Sequence, residues 1–302
     1  MILVTGGAGF VGREVVKQLL QDGHSVRVLA RTPKRAYTAF HAYDCEIAEG
    51  DILDKKSLAH AMRGVKAVVH LVGIIREGFR ETFEQTHVEG TRNVIAAAEA
   101  AGIKRYLHMS AIGTRPHAVA RYHQTKWAAE QLVRESRLQW TIFHPSLIYG
   151  KDDLFTHSIE QAAKLGRGIM PVPFNGETIL QPVAVGDVAR AFANALANEQ
   201  ALGKAYDLCG EPLTLNEIVS EICRANELKP RLIPVPGEIV KTLAYFAGIM
   251  LPVTPLSYDQ ALMLEENHHG DSSAAEQDLG FSASDFVETL NRKPSQVELA
   301  LA

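Results

Sequence analysis

Residues 5–12 read Thr5-Gly6-Gly7-Ala8-Gly9-Phe10-Val11-Gly12, directly behind the apolar run Ile2-Leu3-Val4 and directly ahead of apolar residues at helical spacing. A strand that turns through several glycines into a helix is a restrictive arrangement. Glycine allows the tight turn and lets the backbone approach a ligand closely. The unpaired N–H groups of the first helical turn then face phosphate charge. The segment therefore predicts a strand–turn–helix unit that holds the pyrophosphate of a dinucleotide. Its expected contacts are Thr5, Gly6, Gly9, Phe10, Val11 and Gly12.

Beyond residue 21 the chain repeats the same alternation. Ser25–Ala30, Cys45–Glu49, Ala67–Leu71, Arg105–Ser110 and Thr141–Pro145 are short apolar runs that read as strands, and Tyr206–Cys209 reads as one more. Helical patterns fall at Gly12–Gln21, Ser57–Met62, Glu81–Ala101 and Ala120–Ser136, with Gly23, Gly64 and Gly102 just past three of them as helix stops. Alternation of this kind predicts an α/β fold, a doubly wound parallel sheet of Rossmann type. After Gly150 the pattern changes. Thr214-Leu215-Asn216-Glu217 is a capping box opening a helix to Asn226, and Asp187 is placed to cap the helix before Asn198. The expected organisation is a nucleotide-binding domain of residues 1–150 and 178–210. A small, mostly helical C-terminal substrate lobe would comprise 151–177 and 211–290, followed by a polar tail, 291–302.

The 302 residues carry 31 Lys+Arg against 35 Asp+Glu, a net charge of −4, which gives no reason to expect nucleic acid as partner. Cys45, Cys209 and Cys223 are scattered and read as reduced thiols of a cytoplasmic protein. With Ile2 already in a strand, no signal or transit peptide is expected. The apolar stretch 239–251 contains Lys241 and is too short for a transmembrane segment. It reads first as a buried helix, and alternatively as a contact with a membrane surface or a partner protein. His268-His269 lies in a polar loop and is not read as a metal site.

The end of the second strand decides which dinucleotide fits. NAD-specific sites place an acid there to bond the ribose 2′-hydroxyl. Here Val28-Leu29-Ala30 runs into Arg31, with Lys34 and Arg35 behind it and no acid between Asp22 and Asp44. A guanidinium can hold a 2′-phosphate that a carboxylate would repel. The cofactor expected is NADP(H) in preference to NAD(H), with Arg31 and Arg35 as contacts. Asp51-Ile52, after the third strand, suits the adenine edge, and Leu71-Val72-Gly73, after the fourth, suits passage beside the adenine ribose.

Tyr122 and Lys126 stand four residues apart on one helical face. A nearby cation lowers the pKa of a phenol, which makes it a usable acid–base group. Ser110 ends the preceding strand, where its hydroxyl can bond a substrate carbonyl. Together with the glycine turn, these residues make the chain resemble the short-chain dehydrogenase/reductase superfamily, in its extended or atypical branch. Gly90-Thr91-Arg92-Asn93-Val94, Pro145-Ser146-Leu147-Ile148-Tyr149-Gly150 and Val185-Gly186-Asp187-Val188-Ala189-Arg190 add to the match. Within that branch it is similar to bacterial relatives of the nucleotide-binding accessory subunit of respiratory complex I. Met109-Ser110-Ala111-Ile112-Gly113, Arg121 to Lys126 and Leu256-Ser257-Tyr258-Asp259-Gln260 carry this narrower likeness.

The resemblance implies Tyr122 as general acid/base, Lys126 as its activator and as a ligand of the nicotinamide ribose, and Ser110 as the residue orienting the substrate oxygen. It places Pro145 in the nicotinamide pocket. His87 replaces the Asn that relays protons in many relatives, and His144 stands where extended members often carry Arg. Glu130 shares the face of Lys126 and is a candidate to pair with it. Two functions fit. One is an NADP(H)-dependent oxidoreductase or epimerase-like enzyme acting on a small carbonyl or alcohol substrate. The other is a non-turnover protein that holds NADP(H) as a structural element or redox sensor while serving assembly or regulation of a partner complex. Retention of Ser110, Tyr122 and Lys126 favours the first.

Overall fold

Strands without polar alternation need cover on both faces, which crossover helices supply. In the computed structural model, which describes residues 1–79, 81–250 and 256–291, seven strands form one parallel sheet. They are β1 (Ile2–Thr5), β2 (Val26–Ala30), β3 (Glu46–Glu49), β4 (Ala67–His70), β5 (Arg105–Met109), β6 (Gln139–Pro145) and β7 (Lys204–Leu208), in the order β7-β6-β5-β4-β1-β2-β3. The helices of this unit are α1 (Phe10–Gln21), α2 (Pro33–Ala39), α3 (Lys55–Ala61), α4 (Gly90–Ala100), α5 (Arg121–Glu135), α6 (Val185–Leu196) and α7 (Ser273–Leu279). On one face α1 packs against α6. On the other, Leu3, Val68, Tyr106 and Ile142 of the sheet meet Leu58, Val94, Ala98 and Val133 of α3, α4 and α5.

β1 pairs with β2 on one side and β4 on the other, so the winding direction reverses there. Ligands of doubly wound sheets bind outside the carboxyl ends of the strands at such a reversal. The residues just past Thr5, Ala30, His70 and Met109 therefore border the candidate site.

Two compact units divide the chain. The first contains residues 1–145, 185–208 and 271–282, and the second contains 146–184, 209–270 and the residues from Ala283 onward. These limits differ from those expected at 150, 178 and 210. Residues 178–184 belong to the second unit because Val183–Ala184 pairs with Ile148–Tyr149 and Ile179–Leu180 with Leu213–Thr214. Residues 271–282 join the first because Asp278 of α7 accepts bonds from Lys204 (2.6 Å) and Tyr206 (2.7 Å) of β7. The second unit packs Tyr149, Met170, Val172, Leu180, Ile218, Ile222 and Phe286 into its own core. Its helix Leu215–Ala225 starts with the expected capping box, Thr214 and Glu217 each bonding the other's backbone.

Three further expectations are corrected. Asp187 lies inside the first turn of α6 and pairs with Arg190, so it is not the residue preceding the helix. The pattern over Glu81–Ala101 becomes a π-helical turn, Glu84–Glu89, followed by α4. The stretch 239–251 is not wholly buried. In the helix Gly237–Met250, Val240 and Ala244 face the core, while Ile239, Leu243, Phe246 and Met250 are exposed. One stripe of a mostly apolar helix suffices to dock it. Leu251 and most of the polar tail, 292–302, lie outside the described residues.

Candidate functional site

The turn after β1 is built by close approach. Gly6 has φ +78°, a region that glycine enters without strain, and a Cβ placed there would stand 3.0 Å from the carbonyl carbon of Leu71 and the nitrogen of Val72. The Leu71 amide donates to the Thr5 carbonyl at 3.0 Å, so β1 and the segment after β4 meet backbone to backbone. At Gly12 a Cβ would lie 2.1 Å from the Gly6 carbonyl oxygen, which seats the first turn of α1 against the glycine turn. The first helical turn leaves the amides of Phe10, Val11 and Gly12 without carbonyl partners inside the helix. This is a cradle that side chains would fill, with N–H groups at its mouth, and it fits a dinucleotide pyrophosphate. Val11 and Gly12 are buried while Gly9 is exposed. Thr5 is fully buried, and its hydroxyl is bonded to Nδ1 of His70 at 2.6 Å.

The other expected cofactor contacts fall around this cradle. Arg31 and Arg35 are exposed at and after the end of β2, and Lys34 lies between them. Arg31 is ion-paired with Glu81, fifty positions away, a partner that no local pattern announces. Asp51 is half-buried and bonds the Leu53 amide at 2.9 Å. Ile52 is in the core, and its carbonyl accepts from Asn93 at 3.1 Å. At Gly73 a Cβ would be 3.7 Å from both His87 Nε2 and Lys126 Nζ.

Those two distances bring His87 and Lys126 together at Gly73. Lys126, 2% exposed, donates to the carbonyl of Met109, the residue before Ser110. Ser110 is held by its amide, which donates to the Phe143 carbonyl at 2.7 Å, and its buried hydroxyl has no partner among the described residues. The carbonyl of Pro145 accepts from Ile112 at 3.1 Å, which extends the β5–β6 alignment past Ser110. The Tyr122 ring stands edge-on to Phe83 and His87, with centroids at 5.9 and 5.4 Å.

His87 is buried in the π-helical turn, a distortion found often at functional sites. Its Nδ1 lies 2.9 Å from the Thr125 hydroxyl, and its Nε2 lies 3.1 Å from both the amide nitrogen and the carbonyl oxygen of Ile74, so both ring nitrogens are engaged. Behind it, His70 bridges Thr5 and Thr91 and stacks on His108 at 5.5 Å. The two nitrogens of His108 and the Tyr106 hydroxyl are buried without hydrogen-bond partners among the described residues.

Charge in this region is decided by burial. Burial lowers Lys126 to about 8, against a smaller opposing pull from Glu130. Burial, and then the Lys126 cation, lower His70 to about 3 and push His87 and His108 down as well, so all three rings are neutral at pH 7. His144 goes the other way. Burial disfavours its charge, but bonds to Asp207 (3.0 Å) and Glu130 (2.9 Å) outweigh that and raise it to about 9. Glu130, 1% exposed, makes its ion pairs with His144 and Arg134 (2.6 Å), and Arg134 in turn lies over Trp140. The spacing of Glu130 and Arg134 could have signalled that pair. Thr125, Glu81 and Asp207 carried no such signal.

Comparison with known proteins agrees with this geometry. The family model described as NAD(P)H-binding matches residues 6–199. A ceramide reductase of Caulobacter vibrioides is 28% identical over 80% of this chain and 75% of its own length. The mitochondrial NADH dehydrogenase (ubiquinone) 1 alpha subcomplex subunit 9 of Arabidopsis thaliana is 29% identical over 83% of this chain, which spans 64% of that subunit. Among solved structures, an NADPH-dependent quinone oxidoreductase of Escherichia coli, complexed with NADPH, superimposes with a TM-score of 0.77 at 19% identity, covering 96% of this chain and 98% of that one. Among the described residues no helix is long and apolar enough to cross a membrane.

Proposed function

The chain belongs to the NAD(P)H-binding family, and on that premise we propose that it is an NADP(H)-dependent oxidoreductase acting on a carbonyl or alcohol carbon. The reading is supported by a buried Lys126 ammonium bonded to the carbonyl of Met109, the residue before Ser110, whose own buried hydroxyl has no partner among the described residues. A buried cation and an orphan donor are costly to maintain and are groups that a developing oxyanion can use.

In this reading the first-turn amides of α1 hold the pyrophosphate, and Arg31, Lys34 and Arg35 favour a 2′-phosphate over a free hydroxyl. When bound, the nicotinamide group gives or takes the hydride. Ser110 donates to the substrate oxygen and fixes its direction. Tyr122 gives a proton to that oxygen, or takes one from it. Lys126 favours the ionised phenol by its charge and keeps that charge through the Met109 carbonyl and the more distant Glu130. His87 anchors Ile74 and Thr125 with both ring nitrogens, so it positions the segment after β4 against α5.

The ceramide reductase relative makes ceramide-related carbonyl compounds the first to offer. NADPH absorbance should fall when the right one is added, and Tyr122→Phe should slow that reaction by about 100-fold or more without weakening the cofactor. Turnover unaffected by Tyr122→Phe would defeat the assignment.

A second reading, a non-turnover NADP(H)-holding subunit, is favoured by the complex I relative and by the engagement of both His87 nitrogens. It requires that Tyr122→Phe leave every cellular phenotype intact.

A further inference from the structure

Arg31 is the first residue after β2, with its side chain 61% exposed, and its guanidinium is bonded to the carboxylate of Glu81. The end of β2 carries no acid of its own. The chain thus brings a carboxylate to the 2′ position's cation from a different segment, the one that follows β4.

Glu81 is held there by more than this one ion pair. Its amide and carbonyl exchange bonds with those of Gly78, at 3.4 and 2.9 Å. Two residues on, Phe83 is buried, and its amide donates to Glu77 at 2.9 Å. Glu77 in turn pairs with Arg121, next to Tyr122, at 2.9 Å.

A guanidinium has one fork of donors to offer along a given direction, and a carboxylate and a phosphate dianion compete for it. A 2′-phosphate reaching Arg31 must displace or share with Glu81, and like charges at that range repel. A free 2′-hydroxyl meets the opposite situation, because it can donate to the carboxylate.

We propose that Glu81 sets the cofactor preference of this chain: its carboxylate opposes the 2′-phosphate at Arg31 and accepts a 2′-hydroxyl, so that NADPH is favoured over NADH by less than Arg31 alone would allow. The proposal rests on the dinucleotide-binding reading above, and deepens it by placing the specificity element on a segment remote from β2.

The test is calorimetric titration of NADPH and of NADH, at low ionic strength, into the full chain and into its Glu81→Gln, Arg31→Ala and doubly substituted forms. Both side chains are exposed, and far-UV circular dichroism verifies that each form is folded. Glu81→Gln should tighten NADPH about three- to fivefold, the range that exposed ion pairs command, while NADH is unchanged or weaker. In the Arg31→Ala background the gain should shrink, since the contested donor is gone. A preference ratio unmoved by Glu81→Gln, or moved toward NADH, overturns the role of Glu81 while leaving dinucleotide binding intact. Failure of both dinucleotides to bind either the native chain or Glu81→Gln overturns the binding reading, and this proposal with it.

Discussion

Replacing His144 with Gln removes one charge from a buried cluster and should convert a pH-dependent part of the stability into a constant. In the folded chain His144 is raised from 6.5 to about 9, with Asp207 and Glu130 at 3.0 and 2.9 Å. A group raised on folding stabilises fully below its unfolded pKa, and the contribution is lost as pH climbs through the folded value. The difference corresponds to about 3 kcal/mol, present at pH 6 and gone by about pH 9.5. With the side chain 16% exposed, solvent screens little of it. Lys126 works in the opposite sense. Lowered from 10.5 to about 8, it penalises the fold while charged, and that penalty lifts between about pH 8 and 10.5. The native chain therefore shows a blunted pH response above 8, which only comparison with a variant exposes. Urea denaturation at pH 6, 7, 8, 9 and 9.5 should show His144→Gln less stable by about 3 kcal/mol at the acid end, with the gap closing toward the alkaline end. A gap that stays constant with pH, or no gap at pH 6, would refute the reasoning.

Gly12→Ala places a methyl 2.1 Å from the Gly6 carbonyl oxygen, where only backbone can yield. Thermal melts should show a loss of about 3 kcal/mol or more, and calorimetry no dinucleotide binding. Arg31→Ala should weaken NADPH by about 10-fold or more and NADH by less than about threefold, read as dissociation constants; equal losses would remove Arg31 from the 2′-phosphate. Lys126→Met trades a buried charge for an apolar chain of similar length, so urea melts at pH 7 should show stability unchanged or raised by about 1–2 kcal/mol while turnover is lost.

The alternation of strand and helix was legible because most of β1 to β6 are apolar runs whose neighbours are not, and each of these six strands lies within two residues of where the sequence places it. The helix α2 was not. Its single buried residue is Ala36, so no apolar period marks it. The π-helical turn before α4 was also hidden, because one extra residue per turn shifts a pattern without erasing it. Tyr122, Lys126 and Ser110 could be proposed as a site from spacing alone, since one helix turn and one strand end position them. The contacts that set their environment span the fold: Arg31 with Glu81, His87 with Thr125, and His144 with Asp207 lie 50, 38 and 63 residues apart. Pairings at that separation are decided by which strands are neighbours, and no local pattern records them.

The histidines around the sheet's carboxyl edge show what that long-range placement achieves. His70, His87, His108 and His144 have the same chemistry and are all largely buried, yet three are neutral and one is a cation. The difference lies in what faces them. Burial and the Lys126 cation act together on the first three, whereas two carboxylates face His144. Glu130 links the two sets, since it bonds His144 directly and steadies Lys126 from one helical turn away. In the reaction proposed above, with those three imidazoles neutral, negative charge developing on the substrate oxygen would be answered by the Lys126 ammonium, whose ionisation lies near 8. Were any of the three protonated, like-charge repulsion would drive the Lys126 proton off at lower pH. The silence of those histidines is therefore a condition for the charge state of Lys126, and through it for the acid–base role proposed for Tyr122.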